Sequence, residues 1–215
     1  MIPKECKMPD LSDLLEVRLQ GRSMLHAMFL GDRGVTPKGR LYRRNFARLV
    51  DKALSEYQAA RQAIIDQIAD RERTYKQAVA EGAIFHILNY VDHFENCINA
   101  VNRLLRLFER LRSEPILADL PRTSRRSLEA HSQALPDVRN TFEHIDGSIF
   151  KGEIGEGEPV MLSISEDGER AVIGPYAIQF VDVARSIRRL APSQNGPFDE
   201  LVGGQFASRR VQSWA

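Results

Sequence analysis

The sequence predicts an all-α protein, an antiparallel bundle of about four helices with a short β-hairpin inserted before the last helix. Three observations predict it. Apolar residues recur every three or four positions over long stretches from Thr36 onward, which is the period of an amphipathic helix. Prolines and glycines interrupt that rhythm at a small number of points and so mark the ends of the elements. One stretch, VMLSISEDGERAVIG, instead flanks Asp167-Gly168 with alternating apolar residues, the period and turn of a hairpin.

The elements follow in order. The opening residues 1–35 form an N-terminal segment in which LSDLLEVRLQ carries a weak signal for a short helix. Thr36-Pro37 then starts the first long helix, because Thr caps the N-terminus and Pro fits the first turn, where its missing N–H is no loss. Phe46, Val50, Ala53, Tyr57, Ala60, Ile64 and Ile68 place one apolar face on it. A charged interval, DRERTYKQ, separates it from a more regular stretch in which Ile84, Ile87, Val91, Phe94, Ile98, Val101, Leu105 and Phe108 alternate steps of three and four. Such spacing asks for an antiparallel helical partner.

The irregular segment between Pro115 and Pro121 reads as a connection. A third helical rhythm follows in Leu128, His131, Leu135, Val138, Phe142, Ile145 and Ile149, with Pro136 inside it. Proline removes a helical hydrogen bond and clashes with the preceding turn, so a kink or a new start is expected near Leu135. KGEIGEGEP is too rich in Gly and acid to hold a helix, and the hairpin occupies about 159–174. A final helix carries Tyr176, Phe180, Val183, Ile187 and Leu190 on one face. The bundle thus spans 36–191, and residues 192–215, with breakers and no period, read as a tail that docks through Phe206 or Trp214.

Composition excludes several classes of function. Thirty Lys and Arg against twenty-nine Asp and Glu leave a formal charge of +1, so no global field draws the chain to nucleic acid or membrane, and such a partner must use a local patch. Cys6 and Cys97 have no metal-ligand spacing and make no disulfide framework, which fits a reducing compartment. MIPKECKMPD lacks an apolar signal core, and no apolar run approaches the roughly 18 residues of a membrane span. The expected location is cytoplasmic, without membrane contact. The one Gly-rich stretch is acidic and would repel phosphate, and Ser and Cys lack a nucleophile elbow or a paired His.

The densest chemistry lies in RNTFEH, residues 139–144. On a continuous helix, with Val138 at zero, Arg139 falls near about 100°, Glu143 near about 140°, Asn140 near about 200° and His144 near about 240°. Asn140 and His144 would share a face away from the core stripe. Two readings stay open. In one, Arg139 and Glu143 form an i, i+4 ion pair worth a few tenths of a kcal/mol and the rest faces water. In the other, Arg139, Asn140 and His144 line a polar cleft between two protomers.

In this stretch the chain resembles the HEPN family of small helical domains, found in many bacterial toxins and defence systems. The family's mark is Arg, a polar residue, a short spacer and then His on the third helix of a bundle. Four residues separate Arg139 from His144, and Asn140 takes the polar position. The order of helices over about 80–190 is also similar, while the long helix before 80 and the acidic loop with its hairpin depart from the pattern. The resemblance implies a homodimer acting on RNA, as a metal-independent endoribonuclease with no cofactor, and a neutralising protein partner is in keeping with a toxin. It implies a composite site of Arg139, Asn140 and His144. His has an unperturbed pKa near about 6.5, suited to accepting and donating protons. Arg offers a fixed fork of donors to a phosphate, and Asn140 would orient either group. The alternative is a noncatalytic helical module for dimerisation or protein interaction.

Other residues were weighed beside this site. Arg103, Arg106 and Arg110 form a stripe that could follow an RNA backbone, as could the clusters Arg122, Arg125, Arg126 and Arg40, Arg43, Arg44, Arg48. Interspersed acids make a solvated helix face the competing reading. His86 and His93 are seven apart on one helix, but no third ligand is marked, so hydrogen-bonded histidines outweigh a metal site; His131 belongs to the same class.

Overall fold

The computed structural model describes residues 3–15, 36–74, 76–77, 80, 85–111 and 134–191. These residues are mostly helical, with a small three-stranded antiparallel sheet. Helix α1 spans Ser12–Leu15, α2 Pro37–Ala69, α3 His86–Leu111, α4 Leu135–Glu143, α5 Ile145–Phe150 and α6 Phe180–Leu190. Strands β1 (Ser163–Ile164), β2 (Arg170–Ile173) and β3 (Tyr176–Gln179) lie between α5 and α6. The expectations placed on Ile84, Leu128, His131, Arg122, Arg125, Arg126, Phe206 and Trp214 fall outside the described residues.

Helix α2 starts where Thr36-Pro37 requires: the Thr36 hydroxyl accepts from the Gly39 N–H at 3.0 Å, satisfying one of the orphan donors of the first turn. Phe46, Val50, Ala53, Tyr57, Ala60 and Ile64 are buried along it, and Ile68 is partly so. Helix α3 packs antiparallel to α2, because Asp70 meets His86 at one end while Glu56 meets His93 further back along α2. The buried stripe of α3 is Tyr90, Phe94, Cys97, Ile98, Val101 and Leu104. The expected members Ile87, Val91 and Leu105 sit at its partly buried edge, so the contact face is rotated toward Tyr90 and Cys97.

Aromatic packing ties the helical pair to the C-terminal helix. Tyr90 stacks on Phe94 with centroids 5.6 Å apart, and Phe180 meets the Phe94 ring edge-on at 5.3 Å. From Phe180 the apolar stripe of α6 continues through Val183, Ala184, Ile187 and Leu190, all buried. Among the described residues the hydroxyls of Tyr57 and Tyr90 have no hydrogen-bond partner, and burial holds both phenols far above their ordinary pKa.

Pro136 decides the third segment. Helix α4 begins at Leu135 with the proline in its first turn, where it costs no hydrogen bond. The same segment then breaks at His144, whose φ of −125° and ψ of 19° are not helical, and α5 starts at Ile145. The continuous helix assumed through Ile149 is thus two short ones.

The hairpin around Asp167-Gly168 is present, with Ser163 opposite Val172 and Ile164 opposite Ala171. Asp167 accepts from the Ser165 hydroxyl at 2.5 Å and the Glu169 N–H at 2.9 Å, and Gly168 takes the positive φ the turn needs. A third strand was not expected. Tyr176, placed by its spacing on the final helix, instead opens β3 opposite Ile173, and α6 starts at Phe180. Gly174-Pro175 is the reason: Gly174 has a φ of 50° and turns β2 back on itself, so Tyr176 to Gln179 pair as a strand. Buried Ile164, Ala171, Ile173 and Ile178 give the sheet its inner side, and α4 packs against β2 and β3.

The N-terminal segment is pinned by charge and two apolar anchors. Met8 and Leu11 are buried, Arg61 donates to the Met8 carbonyl at 3.1 Å, and Arg188 clasps the Asp13 carboxylate at 2.6 and 2.9 Å. Asp10 accepts from the Gln58 amide and the Ser12 N–H, each at 2.8 Å, and these bonds hold its carboxyl down at about 2. Because the folded value lies below the ordinary 3.8, this anchoring is fully present above about pH 4 and is lost as pH falls through about 2. Protection of the residue 3–15 amides, relative to the intrinsic exchange rate at each pH, is expected to hold to about pH 3 and to fall near about pH 2; a fall already near about pH 5 would show that Asp10 is not an anchor.

Candidate functional site

Three helices converge on a polar groove of about 420 Å³. Helix α2 contributes Lys52, α3 contributes Asn96, Asn99, Arg103 and Arg106, and α4 contributes Arg139 and Glu143. The α3 residues follow one another at steps of three, four and three, so they share a face of the helix. Of the four cations, Lys52 pairs with Glu56 and Arg139 with Glu143, so the local positive field of the groove, which the net charge of +1 conceals, comes from Arg103 and Arg106.

Arg139 is the best-held of these cations. Its Nε donates to Asn99 Oδ1 at 3.3 Å and its Nη1 to Asn140 Oδ1 at 3.3 Å. Its Nη2 pairs with the Glu143 carboxylate one turn on. Asn99 comes from α3 and so ties the guanidinium across the helix pair, while Asn140 and Glu143 hold it from its own helix. All three nitrogens are thus directed before any ligand arrives, a preorganised fork. Glu143 is also a counter-ion that an incoming anion must displace.

The residues expected to act together are only partly assembled. Arg103 and Arg106 are exposed and share the groove with Arg139. The side chain of Arg110 lies outside the described residues. Asn140 is exposed and touches Arg139, but does not line the groove. His144 is exposed at the break between α4 and α5, outside the groove lining; its N–H closes the last turn onto the Asn140 carbonyl at 3.0 Å. Of the other arginine cluster, Arg48 is exposed and donates to Asn45 at 3.0 Å, Arg44 is exposed, and the Arg43 side chain is outside the described residues.

The two α3 histidines each face a different carboxylate. His86 Nε2 lies 3.2 Å from Asp70 and His93 Nδ1 lies 2.8 Å from Glu56. Among the described residues no group of three or more His, Cys, Asp or Glu could hold a metal. Burial pushes the Cys97 thiol far up, and Cys6 is raised for the same reason, so neither presents a ready thiolate. Both are free. No helix among the described residues is long and apolar enough to cross a membrane.

Set against family models, curated proteins and solved structures, the chain matches none. What it does must therefore be argued from its own side chains.

The groove was half legible. Arg103 and Arg106 stood out as a basic stripe and Arg139 as a motif residue, but their meeting depends on α4 crossing α3. Asn96, Asn99, Lys52 and the Glu56–His93 pair were missed as a group, because they come from two helices and lie about forty residues apart along the chain. The signal available for Asn96 and Asn99 was their step from Arg103 and Arg106 on one helix face.

Proposed function

We propose that this chain is a HEPN-like protein, an antiparallel helical bundle, acting on RNA. In this reading it is a cytoplasmic homodimer and a metal-independent endoribonuclease of toxin or defence type, restrained by a neutralising protein partner. One observation carries it: Arg139, the motif arginine, lines the same polar groove as Arg103 and Arg106. Cationic forks and amides along one groove suit a phosphate backbone with its attached ribose.

The groove binds consecutive phosphates through Arg103 and Arg106 and presents the scissile one to Arg139. Charge gathering on the phosphate oxygens during attack by the ribose 2′-hydroxyl is stabilised by that guanidinium. His144, exposed at the helix break, exchanges protons with the reacting oxygens, and the composite site is completed by a second copy of the chain. Cleavage of a mixed RNA pool in excess EDTA tests the reading. Wild-type protein should leave 2′,3′-cyclic phosphate ends, and His144→Ala should cut about 10²-fold or more slowly. No cleavage by a folded wild-type dimer would end the nuclease reading.

A second reading is favoured by a separate observation. The Arg139–Glu143 ion pair already neutralises the arginine, as expected of a noncatalytic module for dimerisation or protein binding. In that case His144→Ala and Arg139→Ala leave RNA untouched and alter only association with a protein partner.

A further inference from the structure

One helical turn from the groove lining stands a histidine that the motif does not include. His93 sits on α3, one turn before Asn96 and two turns before Ala100, both of which line the groove. Two turns are about 10 Å along a helix. His93 Nδ1 is 2.8 Å from Glu56 Oε2, and Glu56 Oε1 accepts from Lys52 Nζ at 3.1 Å. Lys52 is itself part of the groove wall. A run of contacts thus leads from the groove through Lys52 and Glu56 to the imidazole. The side chain of Glu56 is mostly covered, whereas that of His93 is 41% exposed.

A carboxylate held against one ring nitrogen makes that nitrogen the proton carrier and leaves the other as an oriented acceptor. Burial alone would push the Glu56 carboxyl up, but the bonds from His93 and Lys52 outweigh it and hold it below its ordinary value. The imidazole is therefore held in place from its inner side by an ionised carboxylate. None of His86, Asp70, His93 and Glu56 lines the groove itself; what sets His93 apart from His86, which pairs with Asp70, is that its partner Glu56 is bonded to Lys52 of the groove wall.

We propose that His93, oriented by Glu56, is a proton acceptor for a ribose 2′-hydroxyl bound in this groove. The inference rests on the RNA-cleaving reading above and adds a residue to it. In the step, His93 takes the 2′-hydroxyl proton as the 2′-oxygen bonds to phosphorus. The bond from phosphorus to the 5′-oxygen breaks, and that oxygen leaves with a proton given by His144, which acts as the acid of the reading above. The products are a 2′,3′-cyclic phosphate and a 5′-hydroxyl end. Glu56 is a positioning residue: it does not touch RNA, and it holds the imidazole in one tautomer.

The test measures RNA affinity and single-turnover cleavage in EDTA for full-length wild type, His93→Gly, His93→Gln and Glu56→Gln. His93→Gln is expected to bind RNA within about twofold of wild type and to cut about 10²-fold more slowly. Added imidazole should restore cleavage to His93→Gly and not to His93→Gln. Glu56→Gln should lower the rate about tenfold with affinity unchanged, the mark of a positioning role. Cleavage by His93→Gln at the wild-type rate, or a loss of rate in His93→Gly that imidazole does not reverse, overturns the proposal while leaving RNA cleavage standing. Wild-type protein that binds RNA without cutting it overturns the proposal and the nuclease reading together, and wild type that does not bind RNA removes the groove reading beneath both.

Discussion

Arg139→Ala is expected to slow RNA cleavage by about 10²- to 10³-fold, the range found when one donor to a developing anion is removed. The loss should exceed that from Arg103→Ala or Arg106→Ala, because those exposed side chains reach the groove without the crossed bonds from Asn99 and Asn140 that fix Arg139. Each of the three substitutions should also flatten the salt dependence of RNA binding, by about 0.7 in the logarithmic slope for one lost phosphate contact on a single strand. Arg139→Lys should not rescue the rate, since an ammonium cannot take a bidentate hold on phosphate or keep three directed bonds. Single-turnover rates and affinities at several salt concentrations decide it. If Arg139→Ala alters stability by no more than about 0.5 kcal/mol and leaves RNA binding unmoved, the arginine is an ordinary partner of Glu143 on a helix surface, and the interaction-module reading takes over.

Phe94→Ala is expected to cost about 3–5 kcal/mol of folding stability. Phe94 is fully buried between Tyr90 and Phe180, so truncation leaves a cavity facing two aromatic rings from α3 and α6. Edge-on and offset ring contacts add about 0.5–1.5 kcal/mol each beyond area burial. Against a total stability of about 5–15 kcal/mol, this is a large share, and the urea midpoint should fall by about 1–3 M. Phe150→Ala is the control, because Phe150 is 92% exposed and its loss should stay within about 0.5 kcal/mol. Equal effects at the two positions would mean that the α3–α6 contact is not the core described here.

These two residues also divide what the chain reveals without its fold. The sequence by itself determined that α2 and α3 are helices and which face α2 buries, because the three-and-four rhythm of apolar residues sets one side of a helix away from water; the buried face of α3 is rotated from that rhythm toward Tyr90 and Cys97. Thr36-Pro37 and Pro136 marked helix starts through capping and the missing N–H, which are local effects. Asp167-Gly168 marked a hairpin turn for the same reason. Arg139, Asn140 and His144 stood out on one short segment through its resemblance to a family motif, while their spacing alone left a plain surface ion pair equally open.

Only the tertiary structure decided the rest. A single positive-φ glycine, Gly174, turned Tyr176 from a helical residue into the start of a third strand, since a four-residue apolar alternation next to a helix cannot be read apart from it by period alone. His144 lies at the break between α4 and α5, outside the groove lining, on a side of the segment that the helical wheel already set apart from Arg139 and Glu143. Arg139 met Arg103, Arg106 and Asn99, and Glu56 met His93, because α4 and α2 cross α3 at those positions. Helix periodicity fixes which residues share a face; which faces meet is set by the packing of whole helices, and a site built across that packing is invisible along the chain.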